Sequence, residues 1–224
     1  MIQLLDSKSQ NNQDNFVLSE LGHKKNGFYV EFGACDGIML SNSFSLENEY
    51  GWSGILAEPA RSFKEALIKN RPNSKLDFSC VWIESNKIIT FNEAVNGELS
   101  TINEFSEHDY EYNAPLKGKR DSGRRYEVET ISLMDLLKKH NAPKEIDYLS
   151  IDTEGSEFDI LNNFDFDEYD IKVITCEHNW TPNRSKIFDL LLSKGFERKY
   201  ENYSKWDDWY VKSAKSKVLI YSIK

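Results

Sequence analysis

Five short apolar runs rich in β-branched and aromatic residues recur between residues 27 and 177: GFYVEF (27–32), GILAE (54–58), LDFSCVW (76–82), IDYLSID (146–152) and IKVITCE (171–177). Runs this continuously apolar suit strands buried on both faces, which points to a parallel sheet reached through crossover helices. The stretches between them supply that cover: SFKEALIKN (62–70), SLMDLLKKH (132–140) and RSKIFDLLLSKG (184–195) carry leucine and isoleucine at helical spacing. Ser132 before Asp135 and Ser156 before Asp159 have the spacing of a capping box, and Gly195 follows the last apolar turn of its helix. The expected fold is therefore α/β, a mostly parallel sheet with helices on both faces.

Residues 84–130 break the alternation. Strand-like KIITFNEA and RRYEVETI flank a polar segment, first acidic and then basic, which reads as an insertion between the third and fourth main strands. After Gly195, FERKYENYS and DDWYVKS alternate across a polar turn and predict an antiparallel hairpin, with KVLIYSIK as an added edge strand. The 39% hydrophobic content of 224 residues suits a single domain, with residues 1–26 as a helical or irregular N-terminal segment. No apolar run reaches transmembrane length, and MIQLLDSKSQNNQDNF lacks the basic start of a signal peptide, so a cytoplasmic location is expected. A net charge of -9 argues against a nucleic-acid partner, which calls for a basic face. Cys35, Cys80 and Cys176 have neither zinc-site nor disulfide spacing and are expected as buried thiols. His23, His108 and His140 are expected at the surface.

The first strand ends in YVEFGACDG (29–37). In an open α/β sheet, ligands sit beyond the carboxyl ends of strands. Gly33 permits a tight turn there, and Gly37 leaves room for a ligand. The G-x-x-x-G spacing is not the G-x-G-x-x-G that seats a pyrophosphate, which disfavours a dinucleotide. Glu31 and Asp36 flank the loop, and such anions suit a cationic ligand. Glu58, ending the second strand, is placed to accept hydrogen bonds from both hydroxyls of a ribose. S-Adenosylmethionine carries a sulfonium, an amine and a ribose. An NAD-dependent oxidoreductase remains the alternative enzyme class, because Glu58 suits that ribose as well.

Several segments together resemble the FkbM-type class I S-adenosylmethionine-dependent methyltransferases: FYVEFGACDGIMLSNSFSLE (28–47), GWSGILAEPARSF (51–63), NR (70–71), SCV (79–81), LST (99–101), VETISLMDLL (128–137), IDYLSIDTEGSEFDIL (146–161) and TCEHN (175–179). The resemblance covers roughly residues 27–212. It implies a Rossmann-like class I methyltransferase with a seven-stranded sheet, methylating hydroxyl groups, commonly on sugars. It also implies that Glu31, Gly33, Ala34, Asp36 and Gly37 line the methionine and ribose end of the cofactor. Ser41 and Asn42 would complete that wall or else cap a helix. Glu58 would hold the ribose, and Ser79, Cys80 and Val81 would frame the adenine.

SIDTEGSE (150–157) places Asp152 and Glu154 at the end of the fourth strand, and CEHN places Glu177, His178 and Asn179 at the end of the fifth. Methyl transfer from a sulfonium is an in-line displacement, needing an aligned hydroxyl and a base to take its proton. His178 is the first candidate base by its ordinary pKa, with Asp152 or Glu154 acting instead or orienting the hydroxyl; the alternative is a strand-end histidine without chemistry. A divalent metal on Asp152, Glu154, Glu177 and Asn179 is chemically conceivable but not favoured, because EHN lacks a paired aspartate. Arg120, Arg124 and Arg125 in LKGKRDSGRRY suit an anionic acceptor, with Tyr110, Phe105 and Tyr112 as stacking surfaces for a sugar face. The plain alternative is a solvated charged loop. The expected acceptor is a sugar, nucleotide-sugar or glycan; a non-catalytic assembly partner is the third reading, and a homo-oligomer is left open.

Overall fold

A computed structural model describes residues 7–108, 111–112, 115 and 117–213. In chain order the elements are α1 (Gln13–Glu20), β1 (Phe28–Phe32), α2 (Phe44–Tyr50), β2 (Ser53–Ala57), α3 (Lys64–Asn70), β3 (Lys75–Asp77), β4 (Cys80–Trp82), β5 (Ile88–Glu93), β6 (Thr101–Ile102), β7 (Arg124–Ser132), α4 (Leu133–Lys139), β8 (Glu145–Ile151), α5 (Glu157–Asn162), β9 (Asp170–Glu177), α6 (Asn183–Ser193), β10 (Phe196–Lys199) and β11 (Asp207–Lys212). Seven strands form the main sheet in the order β10-β11-β9-β8-β1-β2-β3. The strands from β3 to β9 run parallel, while β11 lies antiparallel on β9 and β10 antiparallel on β11. This is the expected sheet with its C-terminal hairpin.

Alternation along the strands sends side chains to two cores. Val30 and Ile55 face Leu136, Leu161 and Ile187 of α4, α5 and α6, whereas Tyr29 and Leu56 face Val17, Leu46 and Leu67 of α1, α2 and α3. Each leucine or isoleucine so buried contributes about 1.5–3 kcal/mol over an exposed one. Strand order reverses between β1 and β8, because the chain winds outward from β1 to β3 before crossing back. That reversal opens a crevice beyond the carboxyl ends of β1 and β8.

The apolar run LDFSCVW is two strands, not one. Buried Asp77 stops the first: its Oδ1 accepts the Ser79 amide at 3.0 Å, and Oδ2 meets Lys139 and His140 at 2.8 Å each. An aspartate that bonds the backbone two residues on turns the chain. β4 therefore leaves the main sheet and pairs with β7, opening a second sheet in the order β4-β7-β5-β6. The insertion thus supplies three of the four strands of this sheet, whose inner face, with Phe91, Ile102 and Val128, packs a third core around Cys80 and Ala60.

Ser132 caps α4 by accepting the Asp135 amide at 3.1 Å. Ser156 makes no such cap. Glu157, the first residue of α5, instead folds back on the preceding turn, accepting the Thr153 and Gly155 amides at 2.9 and 3.0 Å. Gly195, at φ +83°, follows α6 as expected. The three cysteines are buried and free. His23 and His140 are half-buried, the first stacked on Tyr50 and the second bonded to Asp77. Among the described residues no helix is long and apolar enough to cross a membrane. The expected edge strand KVLIYSIK lies outside the described residues.

Candidate active site

The ends of β1 and β8 meet at a glycine. Gly33 sits at φ +77°, and a Cβ there would lie 1.9 Å from the Asp152 carbonyl oxygen, so only glycine lets the two strand ends close together. Beside this contact lies a cleft lined by Gly33, Cys35, Glu58, Cys80, Val81 and Asp152. Phe91 and Ile102 of the insertion sheet also line it. These two were missed in the sequence, since their place depends on β4 leaving the main sheet. Glu58 is held as a rigid wall, its carboxylate accepting the Cys35 amide at 2.9 Å and the Ala60 amide at 2.8 Å. Burial pushes its carboxyl up to about 7, against the lowering effect of those two bonds.

Several expected cofactor contacts instead build the loop itself. Gly37 leaves room for α3 and not for a ligand: a Cβ there would meet Arg71 Cγ at 2.6 Å and Leu67 Cδ1 at 2.7 Å. Asp36 Oδ1 accepts the Ile38 and Met39 amides at 2.8 Å each, fixing the turn. Ala34 packs into the core beside Leu46 and Leu67. Ser79 is engaged in the Asp77 turn and does not line the cleft. Glu31 accepts from the Asn42 amide at 2.7 Å, from Ser41 Oγ at 3.1 Å and from Ser43 Oγ. Burial raises its pKa, and the Arg71 charge opposes that rise. Neither Ser41 nor Asn42 caps a helix; Ser43 holds the N-cap of α2 without a side-chain bond. Arg71, fully buried, underpins the loop by donating to Gly37 O at 3.0 Å, Tyr29 Oη at 2.8 Å and Glu47 at 2.7 Å.

On the other side of Asp152 lies a second cavity, which Asp152 shares with Glu154, Glu177, Glu31 and Asn42. One oxygen from each of Asp152, Glu154 and Glu177 falls within 4.8 Å of the others. Burial, then the charges of Asp207 and Glu157, raise the Asp152 pKa; burial, then Asp152 and Glu154, push that of Glu177 well up. Glu154, at φ +60°, accepts from Arg120 Nη2 at 2.5 Å and from Asn179 Nδ2 at 3.0 Å.

Residues 31–208, which include all of these strand ends, match the Methyltransferase FkbM domain. The chain belongs to the FkbM methyltransferase family. Methyltransferase sdnD of Sordaria araneosa is 26% identical over 195 residues, covering 77% of this chain and 74% of that protein. Among solved structures, the METTL16 MTase domain aligns over 89% of this chain at 11% identity and a TM-score of 0.49. The chain spans 65% of that structure's length. The precorrin-6y C5,15-methyltransferase of Geobacter metallireducens GS-15 aligns over 94% of this chain and 92% of its own at 12% identity and a TM-score of 0.46. S-Adenosylmethionine, the donor that FkbM membership implies, suits the cleft. The Gly33 cradle has no room for a Cβ, and the described lining carries Glu58, Glu98 and Asp152 but no lysine or arginine. An anionic lining without a counter-cation favours a positively charged ligand.

In this FkbM protein His178 is not arranged as a base. Its Nδ1 accepts the Trp180 amide at 3.0 Å, which leaves the proton on Nε2, 3.7 Å from Asp208 Oδ1. Burial pushes its pKa down to about 4, so it is neutral with its lone pair occupied. Arg120 is not an acceptor clamp either. It is fully buried, with Nε on the Leu99 carbonyl at 2.6 Å and Nη2 on Glu154. Arg125 is exposed but engaged within the insertion through Asn103 Oδ1 at 2.8 Å, and Arg124 is exposed beside the Tyr126 ring. Phe105 packs edge-on against Trp82 at 5.6 Å, while Tyr112 is exposed. Tyr110 lies outside the described residues. His108 is not a remote surface residue: it lines a small cavity with Glu154, Glu177 and His178 and meets Asn183 Nδ2 at 3.2 Å.

Proposed function

We propose that this chain is an S-adenosylmethionine-dependent O-methyltransferase acting on a hydroxyl of a sugar, nucleotide-sugar or glycan-linked acceptor. The observation that carries the reading is the position of Asp152, which lines both the cleft bounded by Glu58 and the cavity holding Glu154 and Glu177. One side suits the donor and the other an acceptor, with carboxylates at the junction. When bound, S-adenosylmethionine would supply a sulfonium methyl group that an acceptor oxygen attacks in line, with the sulfur leaving as S-adenosylhomocysteine. Glu58 would hold its ribose, while Phe91 and Ile102 would cover its apolar parts and exclude water. Asp152 and Glu177 would orient the acceptor hydroxyl, and Asp152 would take its proton as the new C–O bond forms. The neutral, hydroxyl-rich sugar part of an acceptor fits an acid-lined cavity better than a phosphate does. The test is transfer of a labelled methyl group to a panel of nucleotide-sugars and glycans. Methylation of a hydroxyl supports the reading; binding of S-adenosylhomocysteine with transfer only to nitrogen or carbon acceptors would overturn it.

A further inference from the structure

We propose that Asp152, Glu154 and Glu177 hold one divalent cation of the magnesium, manganese or calcium type, on the acceptor side of the cofactor cleft. The oxygens of the three side chains fall within 4.8 Å of one another. Oxygens on opposite sides of a Mg²⁺ ion are about 4.2 Å apart and of a Ca²⁺ ion about 5 Å apart, so one ion can reach all three with little movement.

An independent residue points the same way. Asn42 is only 7% exposed and lines the same cavity. Its Nδ2 donates to Ser150 Oγ at 2.9 Å, but its Oδ1 has no donor. Glu177, 5% exposed, likewise has one oxygen, Oε2, without a donor. A buried acceptor left unmet costs about 1–3 kcal/mol; Glu177 can share a proton with the Asp152 carboxyl, so Asn42 Oδ1 is the group that calls for a ligand accepting oxygen lone pairs. A carboxylate and an amide carbonyl are ligands a hard cation takes. The three grouped ligands are all carboxylates; Cys35 also lines the cavity but is not among them, and His178 Nδ1 is occupied by the Trp180 amide, which sets the site against zinc.

Charge agrees. With all three carboxylates ionised, the Arg120 guanidinium on Glu154 leaves two formal negative charges for one divalent ion to offset. No lysine or arginine lines the cavity among the described residues. Arg120 and Asn179 also hold Glu154 in place, as partners behind a metal ligand do. The site itself stands on these groups. Its use, to position and polarise an acceptor hydroxyl whose proton the other Asp152 oxygen takes, rests on the methyl-transfer reading above.

The experiment titrates Mn²⁺ into the purified full chain, reading free ion by electron paramagnetic resonance, with Mg²⁺ and Ca²⁺ as competitors. S-Adenosylhomocysteine binding is measured on the same samples by calorimetry. One Mn²⁺ per chain is expected, with affinity at least tenfold weaker in Glu177→Gln while S-adenosylhomocysteine still binds. Should Glu177→Gln fail to fold by circular dichroism, Asp152→Asn replaces it, read on Mn²⁺ affinity alone because Asp152 also lines the donor cleft. That outcome supports the site whether or not any sugar is methylated. No binding by the wild-type chain at millimolar Mn²⁺, or binding that a folded variant leaves unchanged, overturns it.

Discussion

The Arg120 guanidinium donates to Glu154 Oε2 at 2.5 Å across 34 residues of chain, with no exposure of the arginine side chain. The pair ties the insertion to the exit of β8. Removing one partner of a buried ion pair strands the other, at a cost of about 3–5 kcal/mol. Arg120→Met is therefore expected to lower unfolding stability by that amount in urea. The double variant Arg120→Met with Glu154→Gln should recover about half of it or more. Equal losses in the single and double variants would show that the pair is not what holds the insertion down.

Gly33→Ala and Gly195→Ala separate steric contact from backbone strain. Both glycines have positive φ, but a Cβ at Gly33 meets the Asp152 carbonyl whereas a Cβ at Gly195 meets nothing within 4 Å. The Gly195 change should cost about 1–2 kcal/mol in thermal unfolding, the strain of a left-handed backbone alone. The Gly33 change should cost clearly more and remove S-adenosylhomocysteine binding, because β1 and β8 can no longer meet.

His178→Asn should leave methyl transfer within about threefold of wild type, since asparagine can accept the Trp180 amide as Nδ1 does. Glu177→Gln should lower kcat by about 10² or more. Initial rates with a common acceptor check both. A large loss confined to the histidine variant would return His178 to the role of base.

Stability should fall as pH rises, in part through Glu58. Its folded pKa, about 7, lies above the ordinary value of 4.5. A raised folded pKa means that its contribution is fully present below pH 4.5 and lost as pH climbs through 7. The loss is on the order of 3 kcal/mol for this buried group. Urea unfolding between pH 4.5 and 8 should show a shallower fall for Glu58→Gln than for wild type. Parallel curves for the two proteins would mean that Glu58 does not ionise with folding.

The parallel strands could be read from the sequence because their side chains are apolar on both faces, and that demand is local. Glu58 and Asp152 followed from position alone, each at or just beyond a strand's carboxyl end. What escaped the reading depends on partners far along the chain. LDFSCVW was apolar throughout, and only the bond from Asp77 to the Ser79 amide shows where the sheet is left. Arg120 looked like one of five basic residues in a polar stretch, and nothing nearby names Glu154 as its partner. Gly37 invited a ligand because its neighbours across the turn, Arg71 and Leu67, come from the next helix but one. His178 had the right residue type and the right strand end, but a local amide had already taken its lone pair.

β7 pairs with both β4 and β5 and then runs directly into α4. A chimera that borrows residues 84–130 from a relative would therefore exchange more than an acceptor loop. It would bring new residues at 91 and 102 to the donor cleft and a new partner for residue 154. The lining of the cleft and the partner of Glu154 are thus not separable parts in this protein. Recombination here needs its crossover points outside β4 and α4, with residue 154 transferred alongside.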